Sequence, residues 1–579
     1  MDLFAGCGGL SLGLDEAGFE VVLSVDHDPV ALETHRHNLP GPALDLDLSE
    51  PGRIDALIGL LEGIPIDLVA GGPPCQPFSR AGRSKIRSLV ADGTRPESDE
   101  RAELWQSFLE VVERLEPRAV LMENVPDMAL GDELLVLRVM IERLERLGYA
   151  ADARLLEAKD FGIPQHRQRL ILVGVRGSAD FCWPERSNRP VTLRQSIGDL
   201  PKLGRLTGAL EMETGAPRTA FQRRARRDLK GDRTLWDHVT RPVREDDREA
   251  FRRLKPGMRY GDLPEHLRRY RSDIFNDKYN RLAWDEVSRS ITAHIAKDGY
   301  WYIHPSELRT LTVREAARIQ TFPDDFRFAG TRSHAFRQIG NAVPPLLGEV
   351  VGKEILRSLA TRPRRAPKRT GRSVESLRAR LLDWAEADMK HAPWRHPSDP
   401  WQALAGAILC DRVGAEDAEV AEFLAAFPAV GAGVGTRIRK LAQMSKGAAA
   451  GRLGRLAAAA RAAAATRKPW SGEKWLEAAK LAPQEEQLTR LFGLHEEKIV
   501  PTQQAVRVLG RFFGEPGLEE RRLSDGRLRL GRIVGIEPGP PRINAALHAL
   551  GRAVCTAKEP ACRSCPLKSD CASRSRKKR

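Results

Sequence analysis

No apolar run in this sequence is long enough to cross a bilayer, and its N-terminus lacks the basic-then-apolar layout of a secretory signal. A membrane or secreted protein is thereby set aside, and a soluble cytoplasmic one is expected. Cysteine is scarce, with eight in 579 residues, and four of the eight crowd into positions 555 to 571. A disulfide scaffold would spread them more evenly, so a metal or cluster site plus individual thiols is the reading. Acid is in deficit: 78 Asp and Glu stand against 93 Lys and Arg, a net charge of +15 that favours a polyanionic partner. The rest is ordinary, with 30% charged and 41% apolar residues, and the length calls for two or three domains.

The stretch that organises the chain is Gly71-Gly72-Pro73-Pro74-Cys75-Gln76-Pro77. It follows an apolar run, Ile66 to Ala70, that reads as a strand. Glycines and then prolines stop that strand sharply and lift Cys75 onto a stiff loop, a better setting for a nucleophile than for a core thiol. A second strand, Ala119 to Met122, delivers Glu123 in the same way, with Pro126 behind it. Upstream, glycines 6, 8 and 9 feed a helical pattern, and the strand Val21–Val25 ends at Asp26. A glycine turn followed by an acidic strand end is how nucleotide-binding sheets hold a ribose. Asp45-Leu46-Asp47 offers a third acidic strand end. In Gln165-His166-Arg167-Gln168-Arg169, read as the start of a strand, Gln165, Arg167 and Arg169 should share one face and suit clamping a polar ring or a phosphate.

With Asp2-Leu3-Phe4-Ala5-Gly6, Gly72-Pro73-Pro74-Cys75-Gln76, Glu123-Asn124-Val125, Gln165-x-Arg167-x-Arg169 and Gly340-Asn341-Ala342-Val343-Pro344-Pro345 in this order, residues 2 to about 360 resemble a DNA cytosine-5 methyltransferase. The resemblance implies an α/β fold: a Rossmann-like S-adenosylmethionine-dependent domain with an inserted target-recognition region. It implies that Cys75 attacks cytosine C6, that Glu123 supports the ring at N3, and that Arg167 and Arg169 hold and polarise a base flipped out of double-stranded DNA. Phe4, Gly6, Gly8, Asp26, Asp47, Pro73 and Asn341 would hold the cofactor. The family normally has several apolar residues before the block at Asp2; here only Met1 precedes it, so a start further upstream is expected. A monomer in a bacterial or archaeal cytoplasm, associated with the nucleoid and accompanied by a cognate restriction endonuclease, completes the expectation.

The boundaries follow: catalytic and cofactor region 1–176, target recognition 177–275, closing part 276–360, basic linker 361–373 and a second domain 374–579. Within the recognition segment Arg223, Arg224, Arg226 and Arg227 suggest phosphate contacts. In the closing part, Thr312 and Glu315 form a capping box that starts a helix. The linker carries six basic residues, two prolines and no acid between Arg362 and Arg372. Beyond it the pattern is helical, with Ala448 to Ala465 dense in alanine. Cys555, Cys562, Cys565 and Cys571 are spaced C-x6-C-x2-C-x5-C, and thiolates so close need a metal or cluster. This spacing, with Pro393-Trp394-Arg395 and Asp399-Pro400-Trp401, resembles helix-hairpin-helix DNA glycosylases of the adenine and thymine branch, which implies a [4Fe–4S] cluster on the four cysteines. The family's catalytic aspartate would fall at Pro501 and its adenine-branch acid at Ala407, while Leu481 to Gln487 lacks the expected glycine-rich hairpin. A DNA-binding relic without glycosylase chemistry is expected. The rival reading is a bifunctional enzyme that also removes thymine from G·T pairs.

Overall fold

The computed structural model describes residues 1–74, 104–130, 134–177, 181–268, 279–297, 299–360, 374–388, 393–395, 397–410, 417–431, 433–465, 474–496, 499–515, 518, 523–534 and 540–576. The chain divides into two compact units, Met1–Met128 with Arg143–Arg365, and Ala129–Glu142 with Ala366–Arg579. The basic linker lies outside the described residues. Among them no helix is long and apolar enough to cross a membrane.

The first unit is built on a mixed sheet of seven strands. In chain order these are β1 (Asp2–Leu3), β2 (Ser24–Asp26), β3 (Ala43–Asp45), β4 (Leu68–Gly71), β5 (Ala119–Asn124), β6 (Tyr149–Glu157) and, after the two-residue β7 (Gln165–His166), β8 (Gln168–Arg176). Their spatial order is β3-β2-β1-β4-β5-β8-β6. The first five run parallel, and β8 runs antiparallel to both β5 and β6. The chain steps outward from β1 to β3, then returns to place β4 on the other side of β1. That reversal opens a crevice at the carboxyl ends of β1 and β4, where open α/β sheets take their ligands.

The sheet is buried because both of its faces are. On one face, the helix Gly9–Ala17 and the helix Pro345–Ala360 pack Leu10, Leu14, Leu347, Val351 and Ile355 against Leu68, Leu121, Ile171 and Val173. A Cβ on Gly13 would lie 2.2 Å from the Pro345 carbonyl, so only glycine lets these two helices approach so closely. The strand expected to run on from Arg167 is interrupted there: β7 ends at His166 and pairs with β11 (Ser288–Arg289), and β8 starts at Gln168.

In the segment expected to recognise the target, 177–275, the described residues include a strand pair. Its strands β9 (Gly208–Glu213) and β10 (Thr234–Val239) pair antiparallel. Three of the four arginines that suggested phosphate contacts pair with carboxylates of this unit. Arg224 pairs with Glu16 and Glu349, Arg227 with Glu16 and Asp228, and the buried Arg226 with Asp199 and Asp324. Arg223 and Arg227 are exposed, and Arg223 donates to the Arg218 carbonyl. The helix Val313–Ile319 has the expected capping box: Glu315 N–H donates to Thr312 Oγ1 at 3.0 Å, and Thr312 N–H to Glu315 Oε2 at 2.7 Å. Every residue of that helix is buried, including Arg314 and Arg318. Arg318 answers Asp199 at 2.6 Å and Asp324 at 2.5 Å, so the burial that would raise the Asp324 carboxyl is overcome and it stays below its usual range.

In the second unit the described residues form helices and no strand. Asp399 caps the helix Pro400–Leu409 through Trp401 N–H at 2.8 Å. The alanine-rich stretch is the helix Gly447–Ala464. Where a glycine-rich hairpin would stand, the helix Pro483–Gly493 begins instead.

Candidate active site

β4 hands over to Gly72-Pro73-Pro74; Cys75, the expected nucleophile, lies outside the described residues. The register sets Gly71 opposite Met122, so Gly72 is level with Glu123. A Cβ on Gly72 would sit 3.4 Å from Glu123 Oε2. Glu123 Oε1 is held 2.8 Å from Arg169 Nε, and both side chains are mostly buried. Asn124 ties the two strand ends together, donating from Nδ2 to the Pro73 carbonyl at 3.2 Å. The sheet therefore presents a carboxylate with one oxygen fixed by a guanidinium and the other beside the backbone that leads to Cys75.

Arg167 does not join this arrangement, which corrects the expected three-residue face. The break at position 167 turns its guanidinium into the interior, where it is 1% exposed and donates to the carbonyls of Ile291, Gly340 at 3.4 Å and Ala342 at 2.9 Å. Gln165 is equally buried, bound to the Ile319 carbonyl at 3.0 Å and to Gln320 Oε1 at 2.6 Å. Neither is placed to hold a base. Gln320, with Nε2 donating to the Ile339 carbonyl, is a member of this group that the sequence reading missed. Its only signal was its place in the closing block.

The residues expected to hold the cofactor lie at or just after the ends of β1, β2, β3 and β4, and at Asn341, the last residue of the helix Arg332–Asn341. Asp26 accepts three N–H groups, from Gly6, His27 and Asp28, each at 2.8 Å. Phe4 sits at φ 57°, a strained setting for a bulky residue that holds the turn after β1 open. A Cβ on Gly6 would meet nothing within 4 Å, so that turn faces open space. Asp47 takes the N–H and hydroxyl of Ser49 at 2.9 and 2.7 Å; against the upward push of burial, these hold its carboxyl below its usual range. Pro73 is buried and Asn341 exposed. A Cβ on Gly8 would strike Leu39 and His35, which fixes the turn from below.

Beneath the turn, Ser11 donates to Asp2 Oδ2 at 2.6 Å and lies 3.2 Å from His35 Nε2. Burial pushes the Asp2 carboxyl up to about 7 and the His35 ring down to about 4. Cys7, also buried, has its thiol pushed up to about 12, so it is packing and not a nucleophile.

Residues 1–357 match the family described as C-5 cytosine-specific DNA methylase. The chain belongs to that family. It is a DNA cytosine-5 methyltransferase, and S-adenosylmethionine is its cofactor; the open turn at Gly6, whose N–H donates to Asp26, fits that group. The type II methyltransferase M1.HphI of Haemophilus parahaemolyticus is 34% identical over 359 residues, 62% of this chain and 86% of the relative. A DNA modification methyltransferase encoded within a prophage of E. coli has a similar structure, with a TM-score of 0.50 and 27% identity over 62% of this chain and 98% of that one. A thermostable thymine-DNA glycosylase aligns with 35% of this methyltransferase at 19% identity and a TM-score of 0.28, covering 97% of that chain, a likeness too slight to carry an argument.

In the second unit of the methyltransferase, Cys555, Cys562, Cys565 and Cys571 all line one cavity of about 570 Å³. Burial raises the Cys555 thiol against the pull of Arg511, whose Nη1 is 3.5 Å from the sulfur. Cys565 is raised by burial and by the three neighbouring thiols. Among the described residues, no group of three or more His, Cys, Asp or Glu is placed to hold a single metal ion. Ala407 lines a different cavity, with Trp394, Cys410, Glu485, Gln504 and His548, that has about 10 Å³ of room, one water's worth.

Proposed function

We propose that the first unit is the modification enzyme of a type II restriction–modification system, methylating one cytosine within a short duplex sequence and working beside a cognate endonuclease. The observation that carries the reading is the Glu123–Arg169 pair set beside Gly72 at the carboxyl edge of the sheet. The base leaves the duplex to reach that edge. The Cys75 thiolate adds to C6, and Glu123, steadied by Arg169, hydrogen-bonds at N3 as the enamine forms. S-adenosylmethionine, when bound, supplies the methyl group. Solvent water then takes the C5 proton, the electrons of that bond re-form the C5–C6 double bond, and the bond to C6 breaks to release Cys75 as thiolate. Asp26, Asp47 and Asn341 orient the cofactor, with Phe4, Gly6, Gly8 and Pro73 shaping its seat. The test is methyl transfer by Glu123→Gln, which should retain binding of DNA and cofactor while losing turnover; turnover at the wild-type rate would refute the assignment.

The second unit is read as a DNA-binding module with a [4Fe–4S] cluster on Cys555, Cys562, Cys565 and Cys571. The reading rests on the C-x6-C-x2-C-x5-C spacing, with a single C-x2-C pair where structural zinc uses two, and on the four thiols lining one cavity. Anaerobically purified protein should be brown with visible absorbance that bleaches on oxidation; colourless protein containing zinc would overturn this. Glycosylase chemistry finds no support, because Ala407 and Pro501 supply no carboxylate to stabilise a sugar cation.

A further inference from the structure

The buried group around Arg167 leads to the cofactor side of the site. Its guanidinium grips the carbonyls on both sides of Asn341, those of Gly340 and Ala342, together with that of Ile291. Gln320 Nε2 donates to the Ile339 carbonyl at 2.5 Å and reaches the Ala342 carbonyl at 3.3 Å. Gln165 closes the ring: Nε2 donates to Gln320 Oε1, and Oε1 accepts Ile291 N–H at 3.0 Å. Three side chains thus fix the backbone from Ile339 to Ala342, the end of the helix Arg332–Asn341, while the Asn341 side chain stays exposed. The segment has nowhere else to go. A Cβ on Gly340 would sit 2.3 Å from the Ala293 nitrogen, and one on Gly9 would sit 2.4 Å from the Val343 carbonyl. The held turn therefore abuts both the 292–293 backbone and the glycine turn that opens the cofactor edge.

We infer that Arg167 is a positioning residue for the cofactor, acting with Gln165 and Gln320 as a clasp that holds Asn341 against the glycine turn, and that it does not contact the base. This rests on Asn341 being a cofactor residue. Arg169 and Arg167, two positions apart, thus serve the two substrates separately: one steadies Glu123 for the base, the other fixes the seat of the methyl donor. A lysine at 167 keeps the charge but not the planar fork that reaches several carbonyls at once.

The test compares Arg167→Lys, Gln320→Met, Asn341→Ala and the double variant Arg167→Lys/Asn341→Ala. Two quantities are read for each: affinity for S-adenosylmethionine by calorimetry, and KM for DNA at saturating cofactor. Arg167→Lys and Gln320→Met should each weaken cofactor binding by about tenfold, the size of one charge-assisted hydrogen bond, with KM for DNA unchanged within about twofold. The double variant should bind cofactor no worse than Asn341→Ala alone, because both changes act through one residue. Unchanged cofactor affinity in both single variants, or a raised KM for DNA instead, would overturn the clasp. Should Asn341→Ala bind cofactor like wild type, the assignment of Asn341 falls first. Cooperative melting checks folding, and if one variant fails to fold the other still decides.

Discussion

At the rim of the sheet Arg169 holds Glu123 at 2.8 Å at the end of β5, whereas in the segment 223–227 the guanidinium groups of Arg224, Arg226 and Arg227 meet carboxylates of their own unit. The difference lies in the partner's setting and not in the arginine. Glu123 stands at a strand end beside the path to Cys75. Asp199 and Asp324 are sealed in the interior, where an unanswered carboxylate would be costly. A row of positive charge in a sequence is therefore a poor measure of charge offered to DNA: much of it here is mortar.

The comparison can be broken most visibly at the rim. Glu123→Gln should lower the rate of methyl transfer by about a thousandfold, the scale of a lost proton or charge-stabilising group, with the melting temperature little changed because the amide keeps an oxygen for Arg169. A merely structural Glu123 would do the reverse. Among the scaffold arginines the largest effect belongs to Arg318→Met, which leaves Asp199 and Asp324 buried and poorly compensated. Stability should fall by about 3–5 kcal/mol, read by denaturant unfolding.

The pH dependence of stability has two opposed parts beneath the glycine turn. The Asp2 carboxyl, raised from 3.8 to about 7, contributes stability that is fully present at low pH and is lost as pH rises through 7. His35, lowered from 6.5 to about 4, contributes stability that is present above 6.5 and is lost as pH falls through 4. Asp2→Asn removes the first and keeps the second. Between about pH 4 and 6.5 its stability should climb with pH more steeply than that of wild type, by up to about 3 kcal/mol. Parallel curves would contradict the assignment. The smallest effect separates the two kinds of arginine within residues 223–227. Arg224→Ala should leave the salt dependence of DNA binding unchanged, because its charge already answers Glu16 and Glu349. A reduction of the log–log slope by about one would show a phosphate contact after all.

Strand ends were the most legible part of the chain. Glycine and proline after Ala70, and proline after Val125, mark where β4 and β5 stop, and the capping box at Thr312 marks a helix start, because each is a local backbone rule. Arg167 was misplaced because period-two alternation holds only while a strand is unbroken, and the break at 167 follows from the pairing of β7 with β11, over a hundred residues later. β6 escaped notice: Tyr-Ala-Ala-Asp-Ala-Arg-Leu-Leu-Glu is poor in strand-forming residues and is held as a strand by nine partners on β8. The scaffold role of Arg224 was equally hidden, since Glu16 stands 208 residues away. Residues that act through distant backbone, such as Gln320, leave no local mark.

The most direct test of the central claim is transfer of a labelled methyl group from S-adenosylmethionine to unmethylated duplex DNA, with wild type beside Cys75→Ser and products mapped at base resolution. The account predicts methyl groups on cytosine C5 within one short sequence for wild type and none for the variant. Equal transfer by both proteins would contradict it.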